Sequence, residues 1–427
     1  MRNPQTSCAH WLALAILCVG GTAMAADLHV VTLKEVEASA LEANHDVRLA
    51  RMAVAGARAG IEQADTRPNP TLSWNSASLS PTGGVGSGGV LSKRVDQIVR
   101  IDQTFERGGK RELRKSLATT QLEGKELDLQ EQRRQTLQLA RDAYIDLVLA
   151  EHRIEVFDET LRNYAASLDA ATKRVKAGDL ATADLARLRV EVLRARSDGD
   201  AALGDRAHAQ VTLAMLLATE VDPSALQTDG TWPADRPVDG ARAADDIAFR
   251  PDVASARLAV QAASTSIELA RSQRVRDITI GAQFERYPGL NGTGNTIGAG
   301  ISIPLFISND YRGDIAHAAA DRDTAEELAA KTRAAALLDS TSARADLSIA
   351  ARKVAVYQGG LLDAANAAAH SANFAFERGA LGIMDLMDSR RTLLATRLEA
   401  LAALADYAKA AVAVDAAATR VARGGLP

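Results

Sequence analysis

"DQIVRIDQTFERGGKRELRK", residues 96–115, contains two patterns that predict different secondary structures. In its first half apolar and polar side chains alternate, which predicts a β-strand with one apolar and one polar face over about 96–105. Gly108 and Gly109 follow, and glycine lets the backbone turn sharply. The basic, leucine-containing run after them predicts a helix from Lys110 onward. A short strand with a polar face therefore leads directly into a helix.

The helix after the two glycines is predicted to be very long. The chain has no proline between Pro81 and Pro223, so this helix can run from Lys110 to Ala177, about 100 Å at 1.5 Å per residue. Apolar residues recur every seven positions, and a sustained heptad pattern predicts coiled-coil packing. The two heptad series are Leu147, Ile154, Leu161, Leu168 and Val175 in the first half of the chain, and Leu347, Val354, Leu361, Ala368 and Ala375 in the second.

The chain contains the same order of elements twice. Residues 40–64 match residues 247–270, and residues 173–189 match residues 374–390. Each copy predicts helix, strand, loop, strand, long helix, tight turn and helix, so both copies are expected to fold into one kind of unit. The first copy is predicted at 26–221 with strands at about 71–79 and 96–105, a linker at 222–246, and the second copy at 247–427 with strands at about 277–286 and 295–306.

The first 25 residues have the pattern of a secretory signal peptide. A basic start, an apolar run over 11–21 and a small-residue motif predict cleavage after Ala25 and export from the cytoplasm. Cys8 and Cys18 both lie in this leader, so the mature chain is expected to have no disulfide and no thiolate metal ligand. The net charge of −4 argues against nucleic acid as a partner.

The strand count makes a prediction about assembly. No run of 18 apolar residues follows the leader, so the sequence predicts no transmembrane helix. Strands of about ten residues can cross a bilayer when tilted. Four strands cannot close a barrel, which needs about eight, and open sheet edges are very unfavourable in lipid. If the exported chain enters a membrane, its barrel must therefore be shared between subunits.

The duplicated order of elements, together with three short motifs, resembles the TolC-like outer membrane efflux protein family. The motifs are "RPD" (250–252) and the paired turns "KAGDLATADL" (176–185) and "ERGALGIMDL" (377–386). The resemblance implies a fold that is mostly α with a membrane β part. Three protomers would form one 12-stranded outer-membrane β-barrel, continued by a long periplasmic α-helical barrel. Gly108 and Gly109 would make the barrel-to-tunnel turn.

A second resemblance concerns the cargo. "QTFERGGKR" (103–111) is similar to a stretch of the CzcC-like branch of that family, which serves heavy-metal efflux. It implies an exit duct for heavy-metal cations that works with a periplasmic adaptor and an inner-membrane RND pump and sits in outer-membrane lipid. Multidrug efflux or type I protein secretion by the same fold stays open. So does a role of another class, a periplasmic adaptor or coiled-coil scaffold.

The resemblance also implies roles for residues at the two tight turns. Gly178 with Leu180 and Gly379 with Leu381 would be adaptor docking tips, with each leucine exposed. A left-handed glycine that ends a helix would by itself explain both glycines. Asp385 and Asp388 lie on one helical face, so three copies would give carboxylate rings that attract cations at a periplasmic aperture. Asp184 is the matching aspartate of the first copy and would face a neighbouring protomer.

No catalytic, cofactor or metal motif is found. The glycine-rich run at 83–89 is not followed by Gly-Lys-Ser/Thr, and "GGK" (108–110) lacks the spacing of a phosphate loop. His-Glu-x-x-His and Gly-x-Ser-x-Gly do not occur. The sequence therefore predicts that the protein is not an enzyme and has no cofactor.

Overall fold

The computed structural model describes residues 29–77, 95–220, 222–233, 244–289 and 292–421. The predicted signal peptide (1–25), the loop over 81–94 and part of the predicted linker lie outside these ranges. Most of the described chain is helical. Among the described residues, no helix is both long and apolar enough to cross a membrane.

The first copy of the repeated unit has three strands, two shorter helices and two long helices. Its elements are β1 (His29–Val31), α1 (Leu33–Ala43), α2 (His45–Asp65), β2 (Thr71–Ala77), β3 (Asp96–Phe105), α3 (Lys110–Ala177) and α4 (Thr182–Leu217). Thr32 and Glu35 exchange hydrogen bonds in a capping box that fixes the start of α1. The bounds of β3 and α3 are those that the sequence predicts.

After a connecting segment, the second copy repeats the order of the elements from α2 to α4. The segment contains β4 (Leu226–Thr228) between two 3₁₀ turns, Pro223–Ala225 and Ala244–Phe249. The second copy then consists of α5 (Pro251–Ser272), β5 (Ile278–Gly289), β6 (Gly292–Ser302), α6 (Arg312–Val356), a π-helical turn (Tyr357–Leu361), α7 (Leu362–Glu377) and α8 (Ile383–Ala417).

Four strands form one antiparallel sheet in the order β2-β3-β5-β6. Two strands have limits that differ from the predicted ones: β5 continues to Gly289 rather than 286, and β6 spans Gly292–Ser302 rather than 295–306. Pro304 accounts for the early end of β6, because proline has no N–H to donate to a neighbouring strand. Of the strand predicted at 71–79, the described part is β2. Strands β2 and β6 are the edges of the sheet.

The sheet exposes its apolar face and keeps polar side chains on the other. The exposed apolar residues, between 42% and 86% accessible, are Leu72, Trp74, Val99, Ile101, Ile280, Phe284, Ile297 and Ile301. On the opposite face Arg100 pairs with Asp102 at 2.8 Å and donates to Gln283 at 3.2 Å. The strand register aligns Trp74, Val99, Phe284 and Ile297 across all four strands. This face needs an apolar environment outside the single chain.

Helix α3 is a continuous helix of 68 residues that packs against α4 and α8. Residues of the first predicted heptad series are buried or half-buried, as expected. A second buried series with the same spacing completes the seam: Ala143, Ala150, Phe157, Tyr164 and Ala171. Two positions per heptad therefore face the neighbouring helices, which is the arrangement of a coiled coil.

The second heptad series is wrong beyond residue 354. Leu361 is 43% exposed and Ala368 is exposed, whereas Leu362, Ala369 and Phe376 face the neighbouring helices. The π-helical turn at Tyr357–Leu361 inserts one residue into the helix and shifts the seam by one position. Gly360 makes this possible because its φ of 126° is open only to glycine.

The described part of the predicted linker (222–246) is structured. Strand β4 pairs in parallel with β1, and the side chain of Gln210 donates to the Leu226 carbonyl at 2.7 Å. The Tyr144 hydroxyl donates to Asp229 at 2.6 Å, and Trp232 stacks on His152 at 5.7 Å between ring centroids. The described part of the connection is thus tied to the middle of α3. Tertiary contacts, which a short Pro- and Asp-rich segment does not reveal, fix it there.

Candidate functional site

Two tight turns end the helical hairpins α3–α4 and α7–α8. Gly178 has φ +84° and Gly379 has φ +73°, so both adopt the left-handed conformation that ends many helices. In each turn two backbone N–H groups return to the last carbonyls of the helix: Gly178 and Asp179 in the first, Gly379 and Ala380 in the second. No atom lies within 4 Å of a Cβ built on either glycine. Backbone conformation alone therefore calls for glycine at both turns.

The leucines that follow these glycines are not exposed, which corrects the expectation for Leu180 and Leu381. Both are half-buried and pack against one apolar cluster at the hairpin ends. This tip cluster joins both hairpins, and its buried members are Tyr164, Ala171, Leu185, Leu188, Ala195, Phe376, Ile383, Leu386 and Met387. The two leucines thus close the end of a small core, as apolar residues near a helix C-terminus commonly do.

Other residues form the exposed surface of the tips. Asp179 and Ala380 follow the two glycines and are exposed. Phe374 is 49% exposed, and the guanidinium of Arg378 lies 3.6 Å from the centre of its ring. This cation–π contact holds a large apolar side chain in water next to the second turn. The tip surface is therefore partly apolar without the leucines.

The three candidate aperture aspartates lie in or near the first turn of the returning helices. Asp184 is in the first turn of α4, half-buried, with Arg187 at 3.5 Å. Asp385 and Asp388 lie on α8, are exposed, and have no ion pair within the described residues. Asp184 and Asp385 lie close to the positive end of a helix dipole, which stabilises a carboxylate. Asp385 and Asp388 are thus available as charges on the surface of α8.

An ion pair that sequence reasoning missed links α4 to α8. The Arg391 guanidinium binds the Glu191 carboxylate in a two-point contact, with Nη2 at 2.5 Å and Nε at 2.8 Å. Hydrogen bonding from Arg391 lowers the pKa of Glu191, although its partial burial opposes this. The contact ties the first hairpin to the second near their turns.

A second polar contact lies in a cavity of about 390 Å³ between α3, α7 and α8. Arg390 donates to Ser167 at 2.6 Å and to Asn373 at 2.5 Å, and burial lowers its pKa. Arg397 pairs with Glu159 at 2.8 Å. Spacing could have found these residues: Ile383, Arg390 and Arg397 are seven apart, and a charged residue in an apolar seam needs polar partners.

Further along the same helices, Asp142 carries an unusual carboxyl group. Its Oδ1 atom is buried and has no hydrogen-bond partner among the described residues. Burial raises the pKa of Asp142 to about 6, with Asp146 adding repulsion and Lys409 opposing the shift. Lys409 itself pairs with Asp146 at 2.6 Å. Within the described part of this seam, Asp142 therefore has one buried carboxylate oxygen without a hydrogen-bond donor.

The turn between β3 and α3 needs both of its glycines for conformation, and one of them for space. Gly108 and Gly109 have φ of +75° and +69°. A Cβ on Gly108 would lie 2.7 Å from the Cβ of Val275, whereas the space next to Gly109 is open. The sheet and the long helix therefore meet at a point of close packing against the segment that leads into β5.

The described residues contain no group of three or more His, Cys, Asp or Glu side chains arranged to hold a metal ion. The clusters at the hairpin ends are apolar contacts, paired arginines and exposed carboxylates. They can bind protein surfaces and attract cations.

Comparison with known proteins adds to this geometry. A sequence profile of the outer membrane efflux protein family matches residues 37–219 and 246–420, that is, most of both copies. The cobalt-zinc-cadmium resistance protein CzcC of Cupriavidus metallidurans is 23% identical over 394 residues, which cover 90% of this chain and 89% of CzcC.

Solved structures share the fold. The crystal structure of CusC matches with a TM-score of 0.74 at 20% identity, covering 90% of this chain and 91% of that one. The Campylobacter jejuni CmeC outer membrane channel matches with a TM-score of 0.77 at 16% identity, covering 90% and 85%. The open state of the Neisseria gonorrhoeae MtrE outer membrane channel matches with a TM-score of 0.72 at 17% identity, covering 90% and 88%.

Proposed function

Because the chain belongs to the outer membrane efflux protein family, we propose that three copies of it form the exit duct of a tripartite efflux system for heavy-metal cations. Members of this family are transport proteins of the outer membrane and not enzymes. A periplasmic adaptor or coiled-coil scaffold, the alternative of another class, is excluded by the family assignment.

The exposed apolar face of the four-stranded sheet is the observation that carries the proposal. Side chains such as Trp74, Ile297 and Ile301 are more than half exposed, which is costly in water and favourable in lipid. Arg100, Asp102 and Gln283 on the other face would line a polar interior. An apolar-out and polar-in alternation is typical of membrane strands.

The proposed trimer follows from the edges of this sheet. Among the described residues of a single chain, β2 and β6 each have one unpaired side, which lipid does not tolerate. Pairing β6 of one protomer with β2 of the next removes all edges when the ring closes. Three protomers would give twelve strands, which leaves a water-filled interior.

The tunnel and its periplasmic end are proposed from the helices. Helices α3, α4, α6, α7 and α8 would form the wall of an α-helical barrel that continues the strands. The turns at Gly178 and Gly379 would meet the hairpins of a periplasmic adaptor. Leu180 and Leu381 would hold the turns in place, while exposed neighbours such as Phe374 make the contact.

The proposed aperture lies at the start of α8. Three copies of Asp385 and of Asp388 would form two carboxylate rings near the hairpin turns, and rings of this kind favour cations. Asp184 would stand on the adjacent hairpin. The Glu191–Arg391 pair would hold the two hairpins of a protomer together while the aperture is narrow.

The proposed cargo rests on the similarity to CzcC and on the stretch 103–111. The described residues offer no metal cage, and a passive duct does not need one. An RND pump of the inner membrane would select the ion and supply the energy. The duct would provide a path across the periplasm and the outer membrane.

Accumulation of metals in cells with and without the gene tests this function. Zinc, cobalt, cadmium, nickel and copper would be measured in the deletion strain and in a strain complemented with the wild-type chain. The same strains would be exposed to a panel of antibiotics and dyes. We expect the deletion strain to retain one or two cations, with restoration on complementation and no change in drug tolerance.

Two other outcomes would contradict the proposal that the cargo is a heavy-metal cation. Drug sensitivity without metal retention would indicate a multidrug duct. Loss of a secreted protein, with metals and drugs unaffected, would indicate type I secretion. A complementing variant with Asp385→Asn and Asp388→Asn serves as the matched control for the aperture, since it changes charge but not the length of the duct.

A further inference from the structure

We propose that three exposed arginines bind the headgroups of anionic phospholipids. They are Arg67, Arg107 and Arg276, and they lie at the end of the sheet where the strands meet the long helices. We refer to them as the arginine row. The inference rests on the proposed membrane position of the sheet and names the lipid class that its periplasmic edge recognises.

The three arginines lie together at one end of the strands because of the strand register. Arg107 follows the end of β3 by two residues, and Arg276 precedes the start of β5 by two residues. Phe105 of β3 pairs with Ile278 of β5, so the two arginines lie opposite each other just beyond the sheet. Arg67 precedes β2, whose first residue pairs with Asp102 near the same end of β3. The edge in question is the one from which the long helices leave.

Local acidic groups do not neutralise the arginine row. Asp277 is occupied by the buried Lys110 at 2.8 Å, Asp65 by Arg111 at 2.8 Å, and Glu106 by Arg114 at 2.5 Å. These ion pairs show that Lys110, Arg111 and Arg114 are engaged within the protein.

The side chains of the row itself are exposed and have no carboxylate partner within the described residues. Arg107 uses only its backbone N–H, which donates to Asp277 at 3.0 Å. The guanidinium of Arg276 lies 5.3 Å from the ring centre of Phe306 and so keeps its charge without an ion pair. Each chain thus presents three uncompensated positive charges along this edge.

Apolar residues next to the row fit the adjoining part of a lipid. The segment that follows β6 exposes Ile303 by 45%, Leu305 by 70% and Ile307 by 86%. Exposed aliphatic side chains beside guanidinium groups match the boundary between acyl chains and headgroups. Free inorganic phosphate would use the charges but not these apolar side chains, so a lipid is the better match.

Arg67 also borders a cavity of suitable size. The cavity, about 670 Å³, lies between α2, α3 and α5 beside the sheet, and its wall includes Thr66, Leu117 and Leu269. Guanidinium groups bind phosphate oxygens through paired hydrogen bonds. A headgroup phosphate at Arg67 would therefore have both a charge partner and space.

Native mass spectrometry of the purified full-length protein tests the proposal. Delipidated protein would be incubated with equal amounts of phosphatidylglycerol and phosphatidylethanolamine, and the retained lipids counted. Each basic side chain near an anionic surface contributes about a fivefold preference. We expect the wild type to prefer phosphatidylglycerol, and Arg67→Gln/Arg107→Gln/Arg276→Gln to lose this preference by about tenfold or more.

A matched control removes the same charge elsewhere. Arg48→Gln/Arg162→Gln/Arg257→Gln changes one exposed arginine on each of α2, α3 and α5, none with an ion pair within the described residues, and should keep the wild-type preference. If the first variant fails to assemble, Arg→Lys substitutions at the same three positions provide a second test. This variant should assemble and keep most of the preference for phosphatidylglycerol. Raising the salt concentration should reduce the preference of the wild type for phosphatidylglycerol.

The proposal would be overturned by equal retention of the two lipids in the wild type, or by an unchanged preference in the first variant. The same samples would be inserted into planar bilayers. Conducting channels without lipid preference would overturn this inference and leave the proposed function standing. Absence of conductance and of outer-membrane fractionation would overturn the proposed function itself.

Discussion

Asp385 and Asp388 are the residues on which ion selectivity of the proposed duct would depend. They are exposed, three apart on α8, and lack ion pairs within the described residues. Arg391 interacts electrostatically with Asp388 but is bound by Glu191, so neither aspartate is held in an ion pair. In a trimer they would lie around one axis, where low-dielectric walls focus the potential on passing ions.

We predict that Asp385→Asn with Asp388→Asn reduces the permeability of potassium relative to chloride by about threefold or more, towards a ratio near unity. Reversal potentials in planar bilayers with a salt gradient measure this ratio. Asp198→Asn with Asp200→Asn removes the same charge from exposed positions of α4 and should leave it unchanged. An unaltered ratio in the first variant would contradict the aperture.

Asp142 is expected to make stability depend on pH. Its pKa is raised from 3.8 to about 6 because the carboxyl group is buried. The folded protein therefore binds a proton more readily than the unfolded chain does, and the ionised group costs stability at neutral pH. The cost falls as the pH drops below about 6 and is absent below about 4.

Replacing Asp142 by asparagine should therefore stabilise the protein at pH 7 by about 1–3 kcal/mol. The gain should shrink between pH 6 and pH 4. Thermal unfolding of the purified protein across this range measures it. Asp146→Asn is the control, because Asp146 pairs with Lys409 and its removal should not stabilise. A gain from Asp142→Asn that is independent of pH would argue against a buried carboxylate.

The sequence predicted the conformation or contacts of some single residues but not of others. The left-handed conformation of Gly178 and Gly379 was predictable, because glycine after a helix has one common use. The half-burial of Leu180 and Leu381 was not, since it depends on both hairpins meeting at one end. The Glu191–Arg391 pair was missed for the same reason, as its partners are 200 residues apart.

At the scale of elements, the π-helical turn distinguishes the second copy from the first. One extra residue at Tyr357–Leu361 shifts the buried series from Leu361, Ala368 and Ala375 to the next position in each case. The seam on both sides of the turn therefore remains continuous. The turn accommodates one inserted residue, and without that residue the helix would be a regular α-helix.

Deletion of Gly360 should accordingly be tolerated. Leu362 would then follow Val354 by seven positions, and α7 would continue the heptads of α6 without a bulge. We expect a heat-stable oligomer in membranes, with stability within about 1 kcal/mol of wild type. Its migration on gels before and after heating reports this.

The matched control deletes Ala165, an exposed residue of α3. No bulge compensates there, so the deletion rotates every later seam residue by about 100° and should abolish the oligomer. If deletion of Gly360 abolished the oligomer and deletion of Ala165 did not, the explanation of the π-helical turn as one inserted residue would be contradicted.

Elements with strong periodic signals were predictable and short ones were not. Helix α3 follows from its heptads and from the glycines at both ends, and β3 from strict alternation. Strands β1 and β4 have three residues each and exist because they pair with one another and pack on α3. The Gly359-Gly360 pair gave no indication that the helix would bulge rather than end.

At the scale of the whole molecule, the sheet and the helices place their apolar side chains in opposite ways. The helices bury apolar residues in seams and expose polar ones, whereas the sheet exposes apolar residues and shelters charged pairs. In the proposed assembly the helices face water and the strands face lipid. The sides of β2 and β6 that are unpaired within the described residues would then pair with further copies of the same chain.

Disulfide cross-linking between edge strands tests this central claim most directly. Ser73→Cys on β2 would be combined with cysteine at Thr296, Gly298 or Gly300 on β6, one at a time, with Cys8 and Cys18 replaced by serine. These positions lie on the polar face of the sheet. Membranes treated with a mild oxidant would be analysed on non-reducing gels, with Ser73→Cys alone as the control.

The account predicts that at least one pair gives bands of one, two and three linked chains and nothing larger, because three copies close the ring. The single-cysteine control should remain as separate chains. Separate chains for all three pairs, or a ladder that continues beyond three, would contradict the shared barrel.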